Sequence, residues 1–315
     1  MESGNPSVSG KAGHTVRVFA KGWSEHRDGP GFRRIYYLKG CNLHCCWCAS
    51  PESISPEAEM LFHPDRSEES DLSYLCPHGA ITGRALNRAL CRTCPDPECR
   101  RRKDPALEWV GEEWTVEELR EDLRSAAAAW SNFGGVTFGG GEPSLQAEEL
   151  CDLFIRLRTD GIHTAFESNA STPAFPTLVR SAALTIADLK GGSEPRFREN
   201  TGGNLADVLA NLSDAAEHAH DLLLRIPLIT GKNDSEEELE KMAEILLHLH
   251  TLRLHAAKQA LSVEILKLHH FGEPKYRALG RHYELTGIPE PAPSALRHLT
   301  ERLLRGGIQL QRNES

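Results

Sequence analysis

No stretch of eighteen consecutive apolar residues occurs in this 315-residue chain, so no segment reads as a membrane-spanning helix. The opening MESGNPSVSGKAGH is polar and lacks the apolar core of a secretory signal. A cytoplasmic protein with no membrane association is therefore expected. Positive charge is also in deficit: 36 Lys and Arg stand against 45 Asp and Glu, a net of −9. That balance argues against broad binding to a phosphate backbone, and no nucleic-acid partner is expected. Internal repeats and long low-complexity tracts are absent. So is any Ser/His/Asp or Cys/His constellation that would demand nucleophilic catalysis.

What the chain does have is cysteine, nine in all. A chain of this length buries roughly three quarters of its unfolded surface and needs no covalent staples. In a reducing compartment, clustered cysteines read as metal ligands or catalysts rather than disulfides. The segment CNLHCCWC packs four into eight residues, with Cys41, Cys45 and Cys48 in C-x3-C-x2-C spacing just past an apolar run, RRIYYL. Three thiolates can hold three irons of a cubane and leave the fourth open to an outside ligand. Soft thiolates suit such a cluster; a zinc site or a redox pair is the alternative. Neighbouring side chains of an extended segment point to opposite sides, so Cys46 faces away if Cys45 faces a cluster. A Cys45–Cys46 disulfide is disfavoured, because adjacent Cα atoms lie only about 3.8 Å apart. Cys46 reads as a small buried apolar residue whose thiol is open to oxidation.

Apolar periodicity gives six strands: FRRIYYL, GGVTF, HTAFES, ALTIAD, LLLRIPL and LSVEIL, most followed by an amphipathic helix. Thr115 and Glu118 stand in capping-box spacing ahead of a helix that places Leu119, Leu123 and Trp130 on one face, and Ser235 and Glu238 repeat the pattern. Further helices are expected around Leu150–Leu157, Leu205–Leu212 and in PKYRALGRHYEL. Such alternation predicts an α/β fold with a parallel sheet, open or barrel-like. Residues 55–106, rich in Pro, Arg, Glu and Cys, break the rhythm and read as an insertion.

Several segments bear chemistry. GGGEP follows a strand, where glycines let backbone approach a ligand and Glu142 offers a carboxylate to an amine. Asp188 and Lys190, two apart at a strand end, point to the same side. Arg225 lies between apolar neighbours and requires a partner.

Taken together, GPGFRRIYYLKGCNLHCCWCASPES, GVTFGGGEPSLQ, TIADLK, NTGGNLADVLANL, RIPLITGKND and VEILKLHHFGEPKYRALG resemble, in order, the radical S-adenosylmethionine (radical SAM) superfamily. The resemblance is greatest to the activating enzymes of glycyl radical enzymes, such as the pyruvate formate-lyase activase. It implies a partial (β/α)6 TIM-like barrel from residues 1–54 and 107–315, with residues 55–106 as an inserted, small ferredoxin-like cysteine-rich segment. It implies an oxidoreductase whose reduced 4Fe–4S cluster, on Cys41, Cys45 and Cys48, cleaves S-adenosylmethionine to a 5′-deoxyadenosyl radical. That radical takes a hydrogen atom from one glycine of a partner, a glycyl radical enzyme, under anaerobic conditions. Gly140, Gly141 and Glu142 would meet the S-adenosylmethionine amino group, and Lys190 its carboxylate. Asp188, Glu167 and Ser168 would hold a monovalent cation nearby. Arg225 would sit by the carboxylate or the substrate backbone, and His269 by the ribose and adenine. Gly139 replaces a serine common in the family, and Lys267 a proline.

The inserted cysteines have their own pattern. CPHGAI resembles the end of a bacterial ferredoxin motif and CRTCPDPEC the beginning of the next. Cys76 with Cys91, Cys94 and Cys99 is then the set for one auxiliary 4Fe–4S cluster. Four cysteines also suit structural zinc, or nothing. Arg100–Lys103 follows and would receive a flavodoxin or ferredoxin electron donor, or is solvated surface. Cys151 reads as packing, and the protein as a monomer. Two other readings stay open: a radical SAM enzyme with a small-molecule target, and a non-catalytic Fe–S carrier or scaffold.

Overall fold

The computed structural model describes residues 14–25, 27–127, 130 and 134–311. The chain starts with strand β1 (Thr15–Glu25) and returns as β2 (Phe32–Leu38). An excursion follows, made of β3 (Glu59–Phe62), β4 (Ile81–Thr82), β5 (Ala85–Leu86), helix α1 (Arg88–Arg92) and β6 (Leu107–Val110). The strand β7 (Glu112–Thr115) leads into α2 (Val116–Ala126), and an alternating series begins. It runs β8 (Gly134–Gly140), α3 (Ala147–Thr159), β9 (His163–Ser168), α4 (Phe175–Ser181), β10 (Leu184–Asp188), α5 (Glu194–Thr201), α6 (Leu205–His218), β11 (Asp221–Leu228), α7 (Glu236–His255) and β12 (Ser262–Lys267). The helices α8 (Glu273–Ala278) and α9 (Pro293–Arg305) and the strand β13 (Gln309–Gln311) close the chain.

One sheet orders the strands β13-β12-β11-β10-β9-β8-β2-β1-β7. From β2 to β13 every pairing is parallel, while β1 is antiparallel to both its neighbours. The six strands expected from periodicity are the six central ones, and their near-continuous Val, Ile, Leu and Phe content is what a sheet covered on its faces demands. The helices pack in a row, α2 on α3, α3 on α4, α4 on α6, α6 on α7, α7 on α9. Their apolar stripes, including Leu150, Phe154, Val208, Leu212 and Leu246, are fully buried. Sheet and helices thus form the partial α/β barrel, and among the described residues no helix is long and apolar enough to cross a membrane.

Three local expectations need correction. Helix α2 ends at Ala126, short of Trp130, which still packs on the core beyond it. Thr115 and Glu118 do form the reciprocal cap, but at α7 only half of it exists. The Ser235 hydroxyl accepts from the Glu238 amide at 3.3 Å, whereas the Glu238 carboxylate reaches out to Gly192 N at 2.8 Å and to the Ser193 hydroxyl. PKYRALGRHYEL is helical only to Ala278, since Gly280 takes a left-handed conformation at φ +64° that stops the helix.

The excursion enters and leaves side by side, because β3 pairs antiparallel with β6. It has its own small core of Met60, Phe62, Leu72, Leu75, Ile81, Ala106 and Leu107, against which Cys76 and Cys91 pack. Ion pairs fasten it to the barrel. The Lys39 ammonium, fully enclosed at the end of β2, lies 3.3 Å from Glu59 and donates to the Glu52 carbonyl at 2.9 Å. Arg281 holds the other Glu59 oxygen, and Lys275 pairs with the buried Glu52 at 2.6 Å. Breaking a buried pair leaves an uncompensated charge, so Glu59→Ala should lower stability by about 3–5 kcal/mol in chemical denaturation. The exposed neighbour Glu57→Ala should stay within about 0.5 kcal/mol.

Candidate active site and its thiol cluster

Loops leaving the C-terminal ends of β2, β8, β9, β10, β11 and β12 surround a cavity of about 710 Å³. The thiols of Cys41, Cys45 and Cys48 line it. Their loop is held by backbone hydrogen bonds to two separate segments. Gly40 N and Cys41 N donate to Ser53 O and Ile54 O, and His44 N and Cys46 N donate to Thr201 O and Asn200 O at the end of α5. Cys46 does not line the cavity; it packs beside Trp47, Tyr276 and Tyr283. Burial pushes the thiols of Cys41 and Cys45 up to about 12 and that of Cys48 to about 11. They are neutral thiols until a cation draws their protons off.

Backbone of the Gly140–Gly141 turn forms the next part of the wall. Gly140 has φ +96°, and a Cβ there would lie 2.9 Å from Leu38 N and from the Phe19 ring. A Cβ on Gly141 would lie 2.3 Å from Gly40 O. At Gly139 the closest atom would be Glu167 Oε2 at 3.4 Å, an ordinary contact, so this position tolerates a side chain.

Glu142, next to Gly141, is fully buried and is not among the residues that line the cavity. It accepts from Ser144 N at 3.0 Å, Ser168 Oγ at 2.7 Å and Asn169 N at 2.8 Å, and also from the Ser144 hydroxyl. These contacts tie the glycine turn to the end of β9. Ser168 is likewise engaged, donating to Glu142 and accepting from Ala170 N at 3.0 Å.

Lys190 and Asp188 form a close ion pair at the end of β10, and both line the cavity. Burial works against the ammonium, but Asp188, with Cys45 nearby, outweighs it and holds Lys190 above its usual range. Arg225 on β11 is the hub of the interior. Its Nε donates to Glu264 on β12 at 2.7 Å and its Nη1 to Glu167 on β9 at 2.7 Å, with Asp28 at 3.6 Å. Burial would discharge the guanidinium, yet Glu167 and Glu264 outweigh it and raise its pKa. His269 stands exposed at the rim with its ring stacked on Phe271, centroids 4.5 Å apart, and Phe271 is 76% exposed.

Three participants have no role in the sequence reading: Glu264, Asn169 and Asp28. Glu264 could have been found as the one charge between Val263 and Ile265 in an apolar central strand. Asn169, whose side chain donates to Asn42 Oδ1 at 3.1 Å and reaches Cys41 Sγ at 3.7 Å, follows a strand and gives no sign of itself.

In the excursion, Cys76, Cys91, Cys94 and Cys99 line one small cavity together. Ala80 N donates to Cys76 Sγ at 3.3 Å, and burial raises Cys91 and Cys99. Among the described residues, no three His, Cys, Asp or Glu side chains converge on a single metal ion.

The fold and site define a class: an α/β enzyme whose ligand cavity and thiols share the strand C-termini. The chain matches the profile described as the Radical SAM superfamily over residues 35–246. It is 31% identical to the 4-hydroxyphenylacetate decarboxylase activating enzyme of Clostridioides difficile (strain 630), covering 89% of this chain and 90% of that protein. It is 32% identical to the benzylsuccinate synthase activating enzyme of Thauera aromatica, with 90% and 88% covered. With the pyruvate formate-lyase 2-activating enzyme of Escherichia coli (strain K12) it shares 30% identity, over 90% and 87%. The chain belongs to the radical SAM superfamily and, within it, to the activating enzymes of glycyl radical enzymes. Membership implies a 4Fe–4S cluster and S-adenosylmethionine. The residues present fit both: three free thiols share one cavity with a turn whose backbone lies open to a ligand and with an ammonium.

Gly141→Ala forces the turn off Gly40 and should weaken S-adenosylmethionine binding at least about tenfold by calorimetry, a loss of about 1.4 kcal/mol. Gly139→Ala should bind within about threefold of the parent.

Proposed function

We propose that this protein installs a glycyl radical on a partner enzyme. The observation that carries the reading is that the Cys41, Cys45 and Cys48 thiols face the same cavity as the Gly140–Gly141 backbone and the Lys190 ammonium. When bound, a reduced 4Fe–4S cluster and S-adenosylmethionine supply a 5′-deoxyadenosyl radical competent to take a hydrogen atom from a glycine Cα. The chain's own part is to bind, orient and exclude water. Cys41, Cys45 and Cys48 would hold three irons and leave the fourth open. Gly140, Gly141 and Glu142 would receive the amino group, the Glu142 carboxylate also tying that turn to the end of β9. Lys190 would face the carboxylate, Arg225 would fix the interior beneath it, and His269 would cover the adenosyl group from the rim. Asp188 and Glu167 would hold a monovalent cation with Ser168 beside them; the interior carboxylates Asp28, Glu167 and Glu264 outnumber the single Arg225 and favour one.

Cys76, Cys91, Cys94 and Cys99 would carry an auxiliary 4Fe–4S cluster, which their shared cavity supports. The exposed Arg100–Lys103 run beside them would receive an acidic flavodoxin or ferredoxin as electron donor. The active protein is a cytoplasmic, oxygen-sensitive monomer.

The test is anaerobic electron paramagnetic resonance on the reconstituted protein with reductant, S-adenosylmethionine and the partner recovered from native extract. A glycyl doublet on the partner is expected. 5′-Deoxyadenosine without a doublet would move the target to a small molecule, and neither product with an intact cluster would favour a carrier. Cys41→Ala, Cys45→Ala and Cys48→Ala should each abolish 5′-deoxyadenosine formation, whereas Cys46→Ser should retain it. Cys91→Ser should remove roughly four irons and four sulfides while leaving the first cluster's spectrum in place; bound zinc in the parent would sink the auxiliary-cluster reading.

A further inference from the structure

The strand β1 is covered on its outer side for only part of its length. The strand β7 pairs with Thr15–Val18 and stops, while the pairing of β1 with β2 runs on to Glu25. Among the described residues, Phe19–Glu25 is therefore a free edge of the nine-stranded sheet. Among the described residues, no backbone group of that stretch makes a hydrogen bond outside its ladder with β2. Free edges are ordinarily blunted by proline, by outward charge or by a covering segment. This one has no proline, and a Cβ on Gly22 would meet nothing within 4 Å. Its one central charge, Lys21, is held to Asp122 at 3.0 Å and over the Trp114 ring at 4.5 Å. Trp23 is 44% exposed, stacks on Phe32 with centroids 4.8 Å apart and has the Arg34 guanidinium over its ring at 4.9 Å, a flat aromatic platform beside the edge.

The edge is continuous with the active site. Its first two residues, Phe19 and Ala20, line the same cavity as the three thiols, and the irregularity between Val18 and Ala20 turns the strand there. We infer that the partner's glycine-bearing segment binds as an added strand on Phe19–Glu25, with its glycine at the Phe19 end. The inference rests on the proposed function, and chemistry favours this occupant. A glycine has no side chain to grip, so selection of it must fall on its backbone and its neighbours. An exposed strand edge reads backbone N–H and C=O directly, with side-chain contacts on alternate residues adding specificity. Seven residues of edge span roughly 24 Å, enough for a segment of about seven residues.

Hydrogen exchange on the cluster-loaded protein tests this, with and without the partner that accepts the radical. New protection of alternate amides within residues 19–25 is expected. A seven-residue peptide copied from around the partner's radical glycine should bind, and N-methylating one alternate set of its amides should weaken it at least about tenfold while the other set changes it little. Equal effects of the two sets would overturn the inference. So would a partner that gains the glycyl doublet with no new protection at 19–25. Protection of those amides that is already full without the partner would assign the edge to the chain's own residues 1–13 and also overturn it. Absence of a doublet on any partner removes the proposed function itself, and the separate resonance readout distinguishes that failure from the others.

Discussion

A guanidinium enclosed in the middle of a half-barrel must be surrounded by carboxylates, and most of this interior follows from that requirement. Arg225 binds Glu167 two strands away on one side and Glu264 on the adjacent strand on the other, while the segment after β1 brings in Asp28 and the Arg27 carbonyl. Three central strands and the loop from the sheet edge are thereby fixed to one cation. A buried pair of this kind contributes little net stability but is costly to break from one side. Its value here is geometric: the strand ends that carry Ser168 and Lys190 are held at fixed spacing beneath the cavity. The same logic recurs at Glu142, whose carboxylate joins the glycine turn to the end of β9. Around this cavity, charged side chains are used as much to hold backbone as to face a ligand.

The parallel core was legible because it is buried on both faces, so its strands are short, apolar and bounded by turns. The capping residues of α2 were legible for the same local reason. What escaped was long-range or polar. Strand β1 buries residues only over its first part, at Val16 and Val18, and the rest, AKGWSE, buries none and looks like loop. Helices α4 and α5 begin with proline in their first turn and are too short or too polar for a strong period. In the site, the cysteines and glycines announced themselves through spacing. The clamp made by Glu142 did not, since the letter alone says nothing of the amides and hydroxyls that converge on it from Ser144, Ser168 and Asn169. Glu238 teaches the same lesson: its spacing from Ser235 fits a cap, yet its carboxylate is taken by the amide of Gly192 and the hydroxyl of Ser193, in the loop after β10.

The excursion and the barrel meet through polar contacts and a small apolar cluster of Leu61, Val110, Ala278 and Leu279. Glu59 is shared between Lys39, which precedes the first cysteine by two residues, and Arg281, which follows α8. Arg88, three residues before Cys91, donates to the carbonyls of Met60 and Ala278. The four-cysteine pocket and the wall carrying His269 and Phe271 are thus connected through these side chains and that small cluster, while the excursion's main core is separate from that of the barrel.

Because β3 and β6 lie side by side, the excursion hangs from the barrel by a two-stranded stem. Chain length between those strands can change without altering where either end must be. The contacts that fix the stem, Glu59 to Lys39 and Arg281, belong to the stem itself and would survive such a change. A lineage built on this scaffold is free to lengthen, shorten or empty the cysteine-bearing lobe while the radical-generating chamber keeps its shape, so cofactor content and core architecture can evolve at different rates.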